Sequence, residues 1–175
     1  VSGLADPNGG YYAGNIRAVR GLDSTKGLGG AGGWTMVIIY ENQNESSKNI
    51  SIFDGFQTID GSNDVDVTYS GFKTIPAGPV RAEFIVGALE GDGGIGGDQF
   101  QIEDNTNTYV DISNAVNPAN NFFNGSISRN AAITTTRTPS STNTLGFDVD
   151  ILSISGSTNP SNNIIGNGDT TADVR

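Results

Sequence analysis

Three carboxylates, Glu90, Asp92 and Asp98, fall within one glycine-rich run, Glu90-Gly91-Asp92-Gly93-Gly94-Ile95-Gly96-Gly97-Asp98. The chemistry this suits is hard-cation binding. Calcium takes about six to eight oxygen ligands at roughly 2.3–2.6 Å, and glycine lets a loop fold carboxylates and carbonyls around one ion. The spacing departs from the EF-hand loop, and a solvated hairpin with Gly in its turns and Asp in Asx-type hydrogen bonds has the same composition. Two further acidic pairs sit at the two-residue period that places side chains on one face of a strand: Asp64 with Asp66, and Asp148 with Asp150. Both read as solvated, the second with Phe147, Val149 and Ile151 as the buried face. Asp104, Asn105, Asn107 and Asp111 are further oxygen donors from a neighbouring loop.

Other chemistries are poorly served. With no Cys and no His in 175 residues, soft-metal sites and the usual nucleophile–base pairs have no side chains to use. A glycosidase-like pair would have to come from carboxylates such as Glu41, Glu83 and Glu90, which spacing alone does not set across a cleft. The expectation is a protein that is not an enzyme. The glycines between Gly27 and Gly33 lack the GK[ST] ending of a phosphate loop and lead into a strand rather than a helix. Nine Lys and Arg against nineteen Asp and Glu give a formal charge of -10. Such a chain repels phosphate backbones and anionic headgroups, which argues against nucleic acid. No apolar stretch is long enough for membrane insertion.

Short runs rich in Val, Ile, Phe, Tyr and Thr alternate with Gly, Asn, Asp and Pro clusters, and helical periodicity is nearly absent. The predicted strands are 11–19, 34–41, 49–56, 65–72, 80–89, 100–102, 109–112, 122–127 and 145–151, with 128–136 as a further β-branched candidate. About nine strands suit an all-β fold, an antiparallel β-sandwich of jelly-roll type, in a single domain over residues 1–175. The 34–41 run, Trp34-Thr35-Met36-Val37-Ile38-Ile39-Tyr40-Glu41, is apolar on both faces and reads as a central strand covered on both sides, with Trp34 and Tyr40 in the core. The 80–89 run starts in alternation and turns continuously apolar, as in a strand entering the core. Residues 21–33 and 139–144 read as surface loops. The acidic tail, residues 169–175, is a candidate last strand of a compact sandwich, but it stops where that strand is expected to develop, which suggests a module of a longer protein.

Five ordered blocks carry a resemblance. They are Gly33-Trp34-Thr35-Met36-Val37-Ile38-Ile39-Tyr40-Glu41; Asn49-Ile50-Ser51-Ile52-Phe53-Asp54-Gly55-Phe56; Glu90-Gly91-Asp92 with Gly97-Asp98; Asn120-Asn121-Phe122-Phe123-Asn124-Gly125-Ser126-Ile127; and Asn143-Thr144-Leu145-Gly146-Phe147-Asp148-Val149-Asp150. In this order they resemble the uncharacterised β-rich domains of very large bacterial surface and adhesin-like proteins, particularly those exported by the type IX route in gliding species. The resemblance implies an extracellular, cell-surface module with a role in adhesion, and brings no catalytic residues. Joined to the acidic loop, it gives an adhesion or structural module stabilised by calcium at Glu90, Asp92 and Asp98. Its partners would be surface glycans or neighbouring protein modules. The alternatives are a lectin-like carbohydrate-binding module, with an exposed Trp or Tyr beside the acidic loop, and a self-assembling filament subunit joined by strand exchange.

Overall fold

The computed structural model describes residues 8–16, 34–59, 61, 63–89 and 91–175. The chain divides into two units, Val1–Tyr40 and Glu41–Arg175. Among the described residues, all the regular structure lies in the second. It is all-β, with eight strands among the described residues and helix limited to two short 3-10 turns, Gly156–Thr158 and Pro160–Asn162.

Two four-stranded sheets form the frame. The first contains β1 (Val67–Ser70), β3 (Gln101–Glu103), β4 (Tyr109–Asp111) and β8 (Thr171–Val174), in the order β1-β8-β3-β4. Every pairing in it is antiparallel. Its register puts Val67 opposite Val174, Tyr69 opposite Ala172, and Ile102 opposite both Val110 and Val174, so one face is apolar throughout. The β3–β4 hairpin closes through Asp104, whose Oδ1 accepts from the backbone N–H of Thr106 (2.8 Å) and of Thr108 (3.1 Å). This is the Asx chemistry that makes Asp a turn residue.

The second sheet contains β2 (Ala82–Ala88), β5 (Ile127–Arg129), β6 (Ala132–Ile133) and β7 (Asp148–Ile154), in the order β2-β7-β5-β6. β2 and β7 pair antiparallel along their whole length, whereas β5 runs parallel to β7. Side chains from both sheets build one cluster: Ile102, Ala172 and Val174 from the first, Leu152 and Ile154 from the second, and Val80, Phe100, Ile112, Phe122, Ile164 and Ile165 from the connections. Phe122 is fully buried and packs against Phe100 (centroids 5.4 Å apart) and Phe123 (4.9 Å). Buried Asn159 pins the last connection, its Oδ1 accepting from the N–H groups of Ile164 and Ile165.

The sequence expectation of about nine strands needs correcting in detail. The predicted strands at 65–72, 80–89, 100–102, 109–112 and 145–151 correspond to β1, β2, β3, β4 and β7, while 122–127 reaches strand geometry only at Ile127. The 128–136 candidate is a tight β5–β6 hairpin, and the acidic tail is β8, the inner strand between β1 and β3. Residues 34–41 and 49–56 form no strand, and Trp34 and Tyr40 are not core: Tyr40 is 77% exposed and Val37, Ile38 and Ile39 are each more than half exposed. A strand exists by its ladder, and among the described residues nothing pairs with these runs. Of predicted strand 11–19, residues 11–16 are irregular and the rest lies outside the described residues. β2 does not enter the core on both faces either. It is an edge strand that alternates to its end, with Ile85 67% exposed.

Candidate functional site

The inner face of the second sheet changes character along its length. At one end Ala82 lies opposite Ile154 and Phe84 opposite Leu152. At the other, Val86 lies opposite Asp150 and Ala88 opposite Asp148, and the parallel neighbour places Ser128 beside Asp150. Asp148, Asp150 and Ser128 have no solvent exposure, nor does Asn117 from the preceding connection. The two-residue period fixes this. Asp148 and Asp150 share a face with Leu152 and Ile154, and once the latter two enter the core the carboxylates must follow. The solvated reading of this pair is therefore overturned, and Val149 and Ile151 occupy the half-buried outer face.

The donors available to these carboxylates are few. Asp148 Oδ2 accepts from the backbone N–H groups of Gly125 (2.7 Å) and Ser126 (3.2 Å). Asp150 Oδ1 accepts from the Ser128 hydroxyl (2.5 Å), which also lies 2.9 Å from Asn117 Oδ1. One hydroxyl has one proton, so Ser128 serves only one of them at a time. Asn117 is held by an Asx turn, with Asn114 Oδ1 accepting from its N–H (3.1 Å), and its own amide donates to the Phe122 carbonyl (3.1 Å). Asp148 Oδ1, Asp150 Oδ2 and Ser126 Oγ are buried with no hydrogen-bond partner among the described residues. Burial, together with the Asp150 carboxyl beside it, pushes the Asp148 carboxyl up to about 7 against the pull of the two backbone N–H groups.

The glycine-rich loop docks on this cluster. The Gly91 N–H donates to the Gly146 carbonyl (2.9 Å), the Asp92 N–H to the Phe123 carbonyl (3.1 Å), and the Gly97 N–H to the Asn120 carbonyl (2.6 Å). A Cβ on Gly91 would lie 2.7 Å from the Phe123 carbonyl oxygen and 3.1 Å from Asp148 Oδ2, so the approach requires glycine. Gly125, at φ +72°, meets the same need from the facing segment: a Cβ there would lie 2.8 Å from the Gly91 carbonyl oxygen.

Of the three residues expected to hold calcium, Glu90 lies outside the described residues. Asp92 is exposed, and Asp98 is half-buried with its Oδ1 accepting from the Phe123 N–H at 2.6 Å. Among the described residues no group of three or more His, Cys, Asp or Glu side chains gathers around one point. The supplementary donors are occupied in their own loops. Asp104 holds the β3–β4 turn and accepts from Asn163 (2.9 Å), its carboxyl lowered to about 2 chiefly by the Thr106 hydroxyl. Asp111 accepts from Gln101 (2.7 Å). Asp64 and Asp66 are exposed and pair with Arg175, at 3.4 Å and 2.6 Å, beneath a guanidinium that stacks 4.0 Å from the Tyr109 ring centroid. Asp66 is held below the usual carboxylate range, mainly by that hydrogen bond.

A groove of about 500 Å³ runs beside β4 and β7, lined in part by Asp111, Asn114, Ser153, Asn163 and Ile164. Comparison with protein-family models, with curated proteins and with solved structures finds no match. The sequence reading missed Asp148, Asp150, Ser126, Ser128 and Asn117 as a group. The parity that ties both aspartates to Leu152 and Ile154 competes in the sequence with the opposite apolar set, Phe147, Val149 and Ile151, and the pairing with β2 decides between them.

Proposed function

We propose that this chain is a cell-surface adhesion or structural module that works by contact with neighbouring modules, built as a jelly-roll sandwich and stiffened by calcium. The observation that carries the reading is the apolar run between Trp34 and Phe56. Trp34, Met36, Val37, Ile38, Ile39, Tyr40, Ile50, Ile52, Phe53 and Phe56 are all exposed. Exposed apolar patches of this kind mark sites of association with other proteins. The ordered blocks shared with bacterial adhesin-like domains support an extracellular setting, and the chain's -10 charge favours protein or glycan partners over nucleic acid. Calcium bridging Glu90, Asp92 and Asp98 would fasten the loop that already lies on the Phe123–Gly125 segment.

A second form of the same reading is self-assembly by strand addition. Among the described residues the edge strand β2 has β7 as its only neighbour, and its outward Ile85 is exposed. The 34–40 run has strand-forming side chains and no ladder among the described residues, so one copy's run would extend another's sheet. Sedimentation velocity across a concentration series, with aggregation of protein-coated beads, tests the reading. Association should appear with rising concentration and be lost in Val37→Asp with Ile39→Asp. A chain that stays monomeric and leaves coated beads dispersed would rule out contact through this run.

A further inference from the structure

We infer that the Asp148 and Asp150 carboxylates and the Ser126 hydroxyl form an internal calcium site, distinct from the Glu90–Asp98 loop and enclosed between that loop and the β5–β7 pair. The inference deepens the reading of a calcium-stiffened module and rests on it only for the choice of ion.

Three side-chain oxygens in this place have no hydrogen-bond partner among the described residues: Asp148 Oδ1, Asp150 Oδ2 and Ser126 Oγ. Their residues are at most 4% exposed. They share one side of the sheet, because Ser128 is the register partner of Asp150 and the two-residue period carries the match back to Ser126 and Asp148. The Ser126 backbone confirms the proximity, its N–H donating to Asp148 Oδ2 and its carbonyl accepting from the Val149 N–H at 3.2 Å. Buried charge persists in proteins when it is paired or coordinates a metal. Among the described residues neither carboxylate has an ion-pair partner. A proton shared between the two carboxyls would satisfy one oxygen of each and leave the serine oxygen idle and one negative charge buried, whereas a divalent ion matches two carboxylates in charge and engages all three oxygens.

The donor set selects the ion. It is oxygen throughout, mixing carboxylate and hydroxyl, which suits a hard cation and excludes a thiolate- or imidazole-seeking one. Calcium also accepts backbone carbonyls. The close approach of Gly91 to the Phe123–Gly125 segment brings main chain against Asp148 Oδ2, where a Cβ on Gly91 would lie 3.1 Å away.

Titration calorimetry and thermal melting of the whole chain, with calcium chloride against a chelator, test this. Calcium at roughly a hundred times its Kd should raise Tm by about 5–10 °C. Asp150→Asn and the milder Ser126→Ala should remove or weaken one equivalent of the calcium heat and reduce the Tm shift, while Asp54→Asn, at an exposed aspartate, leaves both intact. If Asp150→Asn does not fold, Ser126→Ala decides. Absence of calcium heat in the wild type, or any other pattern among the variants, overturns the internal site. The self-association test is read out independently, so failure of one leaves the other standing.

Discussion

Residues 34–56 and strand β7 invert each other. The first region holds the most continuous apolar sequence in the chain and leaves it in water, with Tyr40 77% and Phe56 81% exposed. The second carries two carboxylates and buries both completely. Residue type alone predicts the opposite for each. What separates them is the ladder: β7 is held by β2 on one side and β5 on the other, so its register dictates which side chains go inward, whatever they are. The 34–56 run has no such neighbour among the described residues, and its hydrophobicity finds no core to enter.

The largest effect that would sharpen this contrast comes from paired truncations. Phe122→Ala, inside the aromatic cluster, should cost about 3–5 kcal/mol in urea unfolding. Ile39→Ala, in the exposed run, should stay within about 0.5 kcal/mol. Equal costs would show that residues 34–41 are covered and would break the comparison.

The buried pair should next reveal itself through pH. With calcium chelated, folding holds a proton on Asp148 that the unfolded chain releases near pH 3.8, because the folded carboxyl titrates at about 7. Between those values the native state binds more protons than the unfolded one, so stability is greatest below about pH 4 and falls as pH rises through 7. The fall attributable to Asp148 is on the order of 2–4 kcal/mol, and Asp148→Asn should flatten it. A wild-type profile that rises over this window would mean that the pair is solvated after all.

Gly91→Ala should cost about 1–3 kcal/mol, since its Cβ would meet the Phe123 carbonyl oxygen at 2.7 Å and push the loop off Asp148. An unchanged midpoint in thermal melting would show that the loop does not lie against the cluster. The smallest effect is local. Asp104→Ala should speed amide exchange at Thr106 and Thr108 without moving the global midpoint. In the wild type that protection should persist below the ordinary Asp range and fade only as pH drops toward 2.

Much of the frame was legible from the residues because local chemistry specifies it. Asp104 and the Asn and Thr residues after it write the β3–β4 turn, and alternation in Val67-Thr68-Tyr69-Ser70 marks β1. The parity of β7 was not legible. Its sequence, Phe147-Asp148-Val149-Asp150-Ile151-Leu152-Ser153-Ile154, offers an apolar set on each face. The choice falls to Ala82 and Phe84 across the ladder, which meet Ile154 and Leu152. Asn117, a polar residue in a connection, has no periodic pattern to betray that it is fully buried. β8 was obscured for a related reason. Thr171-Ala172-Asp173-Val174 is too short and too polar to stand out, and it is a strand because Val67 and Ile102 both face Val174.

That placement of β8 has a consequence for how the chain comes to be. During synthesis from the N-terminus, β1 and β3 are made first yet cannot join, because the strand that belongs between them, Thr171–Val174, is encoded about a hundred residues after β1 and about seventy after β3. The first sheet stays in two pieces until Thr171–Val174 has been made, and its closure is a long-range, slow event.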